Sequence, residues 1–194
     1  MVLVFLFACS KQAPSPKQEG EIYFPQGSEG SKWEYLIKIT SPSGIKEARL
    51  SINIEGEESM NGKTYNKHVS LISGQEGKKP EVSYYRRDRK GIYKVDLMNK
   101  DKPEYIITPF PMKVGKTWTA KNSGGQLAFT AEKIENIEYL GHTYKNCLKV
   151  TYRGNAMTRS LEGYTYYAPN VGDVGTWLKF GDVTMQYALD RYTQ

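Results

Sequence analysis

Two G-x-x-W entries, Gly30-Ser31-Lys32-Trp33 and Gly115-Lys116-Thr117-Trp118, open two stretches of chain that carry the same markers in the same order. Asn61-Gly62-Lys63-Thr64-Tyr65 in the first stretch is matched by Leu140-Gly141-His142-Thr143-Tyr144 in the second, and Tyr84-Tyr85 is matched by Tyr166-Tyr167. Each tyrosine pair leads through glycine into an aromatic segment, Gly91-Ile92-Tyr93-Lys94-Val95 or Gly175-Thr176-Trp177-Leu178-Lys179-Phe180. Such self-similarity is the mark of a duplicated architecture, with a period here of about 80 residues. The chain therefore reads as two internal repeats, residues 24–105 and 106–194.

Within each repeat the local signals are those of strands. Ala48, Leu50, Ile52 and Ile54 alternate with polar residues, which puts them on one face of an extended segment. Asn61-Gly62 then supplies a two-residue hairpin turn, since a type I′ turn needs positive φ at both central positions. One stretch is ambiguous: Ala131, Ile134, Ile137 and Leu140 are spaced at three, as on a helix. Its repeat mate Leu50–Ile54 alternates with period two, so it is assigned to a strand. The expected class is mainly β: an antiparallel β-sandwich or barrel-like domain built from the two repeats, with about eight to ten strands and two copies packed to bury each other's apolar faces.

Composition sets the size and texture of that domain. A chain of 194 residues suits one domain, here residues 23–194. Only 39% of residues are hydrophobic, but 15 Tyr and 3 Trp supply large rings that bury area while keeping a polar edge. Thin layers with much half-buried surface follow, and a collagen, a coiled coil or a multi-span membrane protein is excluded.

The first 22 residues read differently. Residues 1–8, MVLVFLFA, form an apolar run too short to span a bilayer, which takes about 20 residues. The run ends at Cys9, and Ser10-Lys11-Gln12-Ala13-Pro14-Ser15-Pro16 follows as a polar tether. Leu6-Phe7-Ala8-Cys9 resembles the lipobox of bacterial lipoproteins, in which the cysteine is acylated and becomes the first residue of the mature protein. No Lys or Arg precedes Val2, a departure from the charged start of a signal peptide that leaves open a start upstream of Met1. The resemblance implies residues 1–8 as a signal-peptide remnant, 9–22 as an acylated Cys9 and flexible tether, and an exported protein held to a membrane by lipid. Ser10 after the cysteine implies the outer membrane.

A search for chemistry finds little. With Cys9 acylated, Cys147 has no disulfide partner, and a free cysteine in an alternating segment is most simply a small core residue. The two histidines, His68 and His142, fall at non-equivalent points of the repeat and show no zinc-ligand spacing. Asp173 and Asp182 are too sparse for a calcium loop, and no nucleophile elbow, Walker or dinucleotide glycine pattern occurs. No catalytic residue, metal or cofactor is expected, and the chain is not read as an enzyme.

The densest charge is Tyr84-Tyr85-Arg86-Arg87-Asp88-Arg89-Lys90, in a chain of net charge +6. Basic residues interleaved with aromatics can bind phosphate head groups or acidic glycans, so Tyr84, Tyr85, Arg86, Arg87, Arg89 and Lys90 are candidate ligand-binding residues. The simpler alternative is a solvated hairpin tip whose arginines guard a strand edge.

Phe110-Pro111-Met112-Lys113-Val114-Gly115-Lys116-Thr117-Trp118 and Tyr166-Tyr167-Ala168-Pro169-Asn170-Val171-Gly172-Asp173-Val174 look like phrases that recur in uncharacterised bacterial lipoproteins. This resemblance implies structure rather than activity, with Trp33 and Trp118 as matching core anchors. The functional expectation is a non-catalytic binding or carrier module of the cell envelope, taking an apolar or anionic lipid ligand. The alternatives are an assembly protein with an envelope protein partner and, behind it, an unrecognised hydrolase. Nucleic acid is not an expected partner.

Overall fold

The computed structural model describes residues 20–25, 27–73, 79–97, 104–156 and 159–194. Cys9, the lipobox and most of the tether lie outside the described residues. A single 3₁₀ turn, Glu21–Tyr23, precedes twelve strands: β1 (Lys32–Ser41), β2 (Gly44–Met60), β3 (Lys63–Ser73), β4 (Glu81–Asp88), β5 (Gly91–Val95) and β6 (Glu104–Pro109), then β7 (Thr117–Asn122), β8 (Gly125–Tyr139), β9 (His142–Ala156), β10 (Arg159–Ala168), β11 (Gly172–Phe180) and β12 (Val183–Thr193).

All twelve belong to one antiparallel sheet in the order β6-β5-β4-β3-β2-β1-β12-β11-β10-β9-β8-β7. Two six-stranded meanders thus run in opposite directions from a central ladder, in which Trp33 pairs with Tyr192 and Ile37 with Tyr187. The end strands β6 and β7 meet at a seam bridged by side chains: Trp118 Nε1 donates to the Ile107 carbonyl at 2.9 Å, and Asn122 Nδ2 to the Tyr105 hydroxyl at 3.0 Å. The result is a nearly closed barrel.

The mainly antiparallel class is as expected, but the strand count exceeds the expected eight to ten. The additional strands carry weak signals: β7 reads Thr-Trp-Thr-Ala-Lys-Asn, with too few apolar residues for a recognisable alternation, and gains its place by pairing with β8.

The stretch with helical spacing is strand β8. Its register slips between Ala131 and Lys133 and again between Glu135 and Ile137; the first slip inserts Glu132 into β8 and breaks its period of two, while at the second the extra residue lies on β9. Ala131 is buried while Ile134 is 49% exposed, so the three-residue spacing does not mark one face. Further bulges, at Asp190 in β12 and at Val174 in β11, add the local bend that lets a sheet curl on itself.

The G-x-x-W tryptophans stand second in β1 and β7, and both preceding glycines take positive φ, 89° at Gly30 and 88° at Gly115. Asn61-Gly62 turns β2 into β3 and Leu140-Gly141 turns β8 into β9, with positive φ at all four residues. The two tryptophans differ in depth: Trp33 is 8% exposed, whereas Trp118 is half-buried and stacks on Phe129.

Two apolar clusters fill the barrel. One joins Tyr23 and Phe24, from the N-terminal turn, to Phe110, Met112, Ala131, Leu148 and Val150. The other gathers Trp33, Tyr35, Ile54, Val174 and Leu189 with Cys147, which is fully buried and whose thiol burial pushes up to about 11. That supports an inert core cysteine. On the opposite face the cross-strand series Thr119, Ala128, Arg153, Glu162 and Lys179 is exposed. Along this series the outer face is largely polar, whereas a lipid-facing barrel carries an apolar outer band.

A candidate ligand cavity inside the barrel

The N-terminal turn enters the barrel and forms one wall of a cavity of about 290 Å³. Tyr23, Phe24 and Pro25 face Trp33 and Tyr35 of β1, with β3 to β6 on one side and the β10–β11 turn on the other. The turn is held by four contacts. Arg87 Nη1 donates to the Phe24 carbonyl at 2.6 Å and its Nη2 meets Glu21 at 2.9 Å. The Asn170 amide donates to the Ile22 carbonyl at 2.6 Å, and Gly20 lies so close to Met112 that any Cβ there would clash with its carbonyl.

Across the barrel, β1 is tied to the β10–β11 turn by two long-range hydrogen bonds. Trp33 Nε1 donates to the Val171 carbonyl at 3.0 Å, and the Tyr35 hydroxyl to the Asp173 carbonyl at 3.2 Å. These bonds turn aromatic faces toward the cavity while satisfying the polar ends of the rings.

Two titratable groups line this space. Asp173 has its carboxyl pushed up to about 7 by burial, against the hydrogen bond it accepts from Thr176 and one from the Gly175 amide. His68 is pushed down to about 4, again chiefly by burial, with Lys94 adding to the effect. Low dielectric disfavours the charged form of each, which raises the acid and lowers the base. At weakly acidic pH the cavity therefore presents a neutral acid, a neutral imidazole and the Asn66 amide among aromatic rings. Among the described residues, neither Asn66 nor His68 has a hydrogen-bond partner for its side chain; His68 is packed on the Tyr85 ring at 4.6 Å.

The six residues of the basic cluster are separated by the pleat. Tyr85 and Arg87 point to the cavity, while Tyr84 and Arg86 point the other way. Arg86 is half-buried over the Tyr93 ring at 3.8 Å, makes two 2.7 Å bonds to Glu104 and one to Asp88. Glu104 also accepts from Lys63 and Tyr65 at 2.6 Å each, and these partners, Arg86 above all, hold its carboxyl down to about 2. Tyr84 hydrogen-bonds Glu58. Arg89 and Lys90 alone occupy the exposed β4–β5 turn, and β4 is an inner strand with no edge to guard. The structure thus does not bring the six together as one patch.

The cavity pair carries little sequence signal: Asp173 sits in a glycine-flanked turn motif with no local sign of burial, and His68 is a lone imidazole without metal-ligand spacing. Among the described residues no group of three His, Cys, Asp or Glu is placed to hold a metal ion.

Comparison with protein-family models and with curated proteins gives no match. Two solved structures share the architecture. One, from Bacteroides fragilis, is described as an exported protein with a YmcC-like fold; it is 15% identical, with a TM-score of 0.57 over 88% of this chain and 98% of its own. The other, from Parabacteroides distasonis, is described as a lipoprotein; it is also 15% identical, with a TM-score of 0.51 and the same coverage. At this identity the likeness establishes the fold.

Proposed function

We propose that this is an exported, lipid-anchored protein of the cell envelope, tethered through Cys9 at the outer membrane, whose barrel holds a small, largely apolar ligand without transforming it. The observation that carries the reading is the cavity between the N-terminal turn and strands β1, β3 and β11, lined by aromatic rings, of which Trp33 and Tyr35 have their polar ends already bonded to backbone. A volume of about 290 Å³ is at the lower end of ligand pockets, typically about 300–1,000 Å³. It suits a drug-sized molecule or a single short chain. The lipobox resemblance at Leu6-Phe7-Ala8-Cys9 and the export and lipoprotein descriptions of the two structural relatives support the address. We also read the two six-stranded meanders as two copies of one unit, on their matched turn glycines and tryptophans.

The alternative, an assembly protein that pairs a sheet edge with a protein partner, has less support. The two end strands β6 and β7 face each other and are bridged by Trp118 and Asn122. Native mass spectrometry of the protein released gently from its membrane tests the main reading. A reproducible non-covalent adduct of a few hundred daltons is the expected result. A bare mass both as isolated and after incubation with an envelope extract would overturn it in favour of the assembly role.

A further inference from the structure

We infer that the cavity recognises an organic cation: an aliphatic or aromatic amine whose ammonium group is received by the Asp173 carboxylate and whose apolar body lies among the rings of Trp33, Tyr35 and Tyr167. This rests on the cavity being a ligand site and names the class of ligand.

The first argument is an account of donors and acceptors. Trp33 and Tyr35 use their only donors on the carbonyls of Val171 and Asp173. The Arg87 guanidinium is engaged with Glu21 and the Phe24 carbonyl. Thr176 shares its hydroxyl between Thr165, at 2.7 Å, and Asp173, at 3.1 Å. The donors of Trp33, Tyr35, Arg87 and Thr176 are therefore committed, whereas the carboxylate, which has about four lone-pair sites, accepts among the described residues only from the Thr176 hydroxyl and the Gly175 amide. The unfilled capacity at this pole is that of an acceptor, and a ligand must bring the donor.

The second argument is charge. No lysine or arginine among the described residues forms an ion pair with Asp173, although it is half-buried in the lining of the cavity. A buried carboxylate without a counter-charge is costly, and a cation that fills the place removes the cost. The walls fit the same class: aromatic faces attract a cation electrostatically as well as packing its carbon skeleton. The positive groups near the cavity, Arg87 and Lys94, stand toward Glu21 and the Tyr85 ring, on β4 and β5 rather than on β11.

The test compares three probes that share a phenylethyl frame on the full chain at pH 8, by ligand-observed NMR titration: 2-phenylethylamine, the uncharged 4-phenyl-2-butanone and the anionic 3-phenylpropanoate. We expect the amine to bind at least about tenfold more tightly than the ketone, as a charge-assisted hydrogen bond should provide, and the anion to bind most weakly. Asp173→Asn, which preserves the shape and the Thr176 contact, should bring the amine down to the level of the ketone and leave the ketone unchanged. Ile52→Phe, which fills the cavity, should weaken both. A wild-type protein that binds ketone and amine equally would overturn the recognition of a cation while leaving the cavity reading in place, and this comparison needs no variant. Failure of all three probes to bind would overturn both.

Discussion

Arg87 on β4 and Phe24 in the N-terminal turn, 63 residues apart in sequence, are joined by a 2.6 Å hydrogen bond from the guanidinium to the backbone carbonyl. The other arm of the same guanidinium meets Glu21, and its plane lies over the Phe110 ring at 4.7 Å. One side chain thus clamps the segment that forms the cavity wall and leads back toward the tether.

Arg87→Met keeps the stem and removes the clamp. The expected loss is about 1–3 kcal/mol, in the range of hydrogen bonds to charged groups. Hydrogen exchange should show it as faster exchange at the Asn170 amide, which donates to Ile22, while the β1–β12 ladder stays protected. Unchanged protection at Asn170 would mean that Tyr23 and Phe24 hold the turn by burial alone.

Leu140 sits at φ 51° in the β8–β9 turn, where Asn61 takes the same φ of 51° in the β2–β3 turn. A branched aliphatic residue is strained there, while asparagine tolerates it. Leu140 is 48% exposed, so little packing opposes the change. Leu140→Asn should stabilise the protein by about 0.5–1 kcal/mol, read as a higher urea midpoint at unchanged m-value. A lower midpoint would show that the leucine contributes through its contacts at the rim of the groove beside Trp177.

The Tyr139 ring rests on Gly175, where a Cβ would come within 2.2 Å of Cε2. Gly175→Ala should push the end of the β8–β9 hairpin off the sheet and cost about 1–3 kcal/mol, as overpacking does. In a Tyr139→Ala background the same glycine change should cost far less. Equal losses in both backgrounds, in a double-mutant cycle, would place the strain in the β10–β11 ladder instead.

Asp173 and His68 make opposite pH contributions. The folded pKa of Asp173 is raised from 3.8 to about 7, so its stabilising protonated form is present below pH 3.8 and is lost as pH rises toward 7. The folded pKa of His68 is lowered from 6.5 to about 4, so its contribution is present above pH 6.5 and is lost as pH falls toward 4. Between pH 4 and 6.5 the two slopes oppose each other. Relative to wild type, Asp173→Asn should therefore gain stability as pH rises through this window, and His68→Gln should lose it. Urea unfolding at several pH values checks both, and differences independent of pH would refute the assignment.

Much of the fold was legible because it is written locally. The alternation at Ala48–Ile54, the Asn61-Gly62 turn and the paired G-x-x-W entries report the class of structure, since each depends on neighbours within a few residues. The bulge at Glu132 of β8 shows in the sequence only as an anomaly of spacing, because a bulge is a relation between two strands. The basic cluster was legible as charge, but the pleat that sends Arg86 to Glu104 and Arg87 to Glu21 cannot be weighed without knowing which face is inside.

The site itself belongs to tertiary structure. The amino-acid sequence by itself determined strands, turns, a polar tether and a small core cysteine at position 147. Only the β1–β12 ladder and the closing seam decided that Tyr35 would meet Asp173 and Trp33 would meet Val171, each pair 138 residues apart. The reason is physical: a cavity is the space left between elements, and its polarity follows from which groups lose water together when the sheet closes, a property no single segment of the chain possesses.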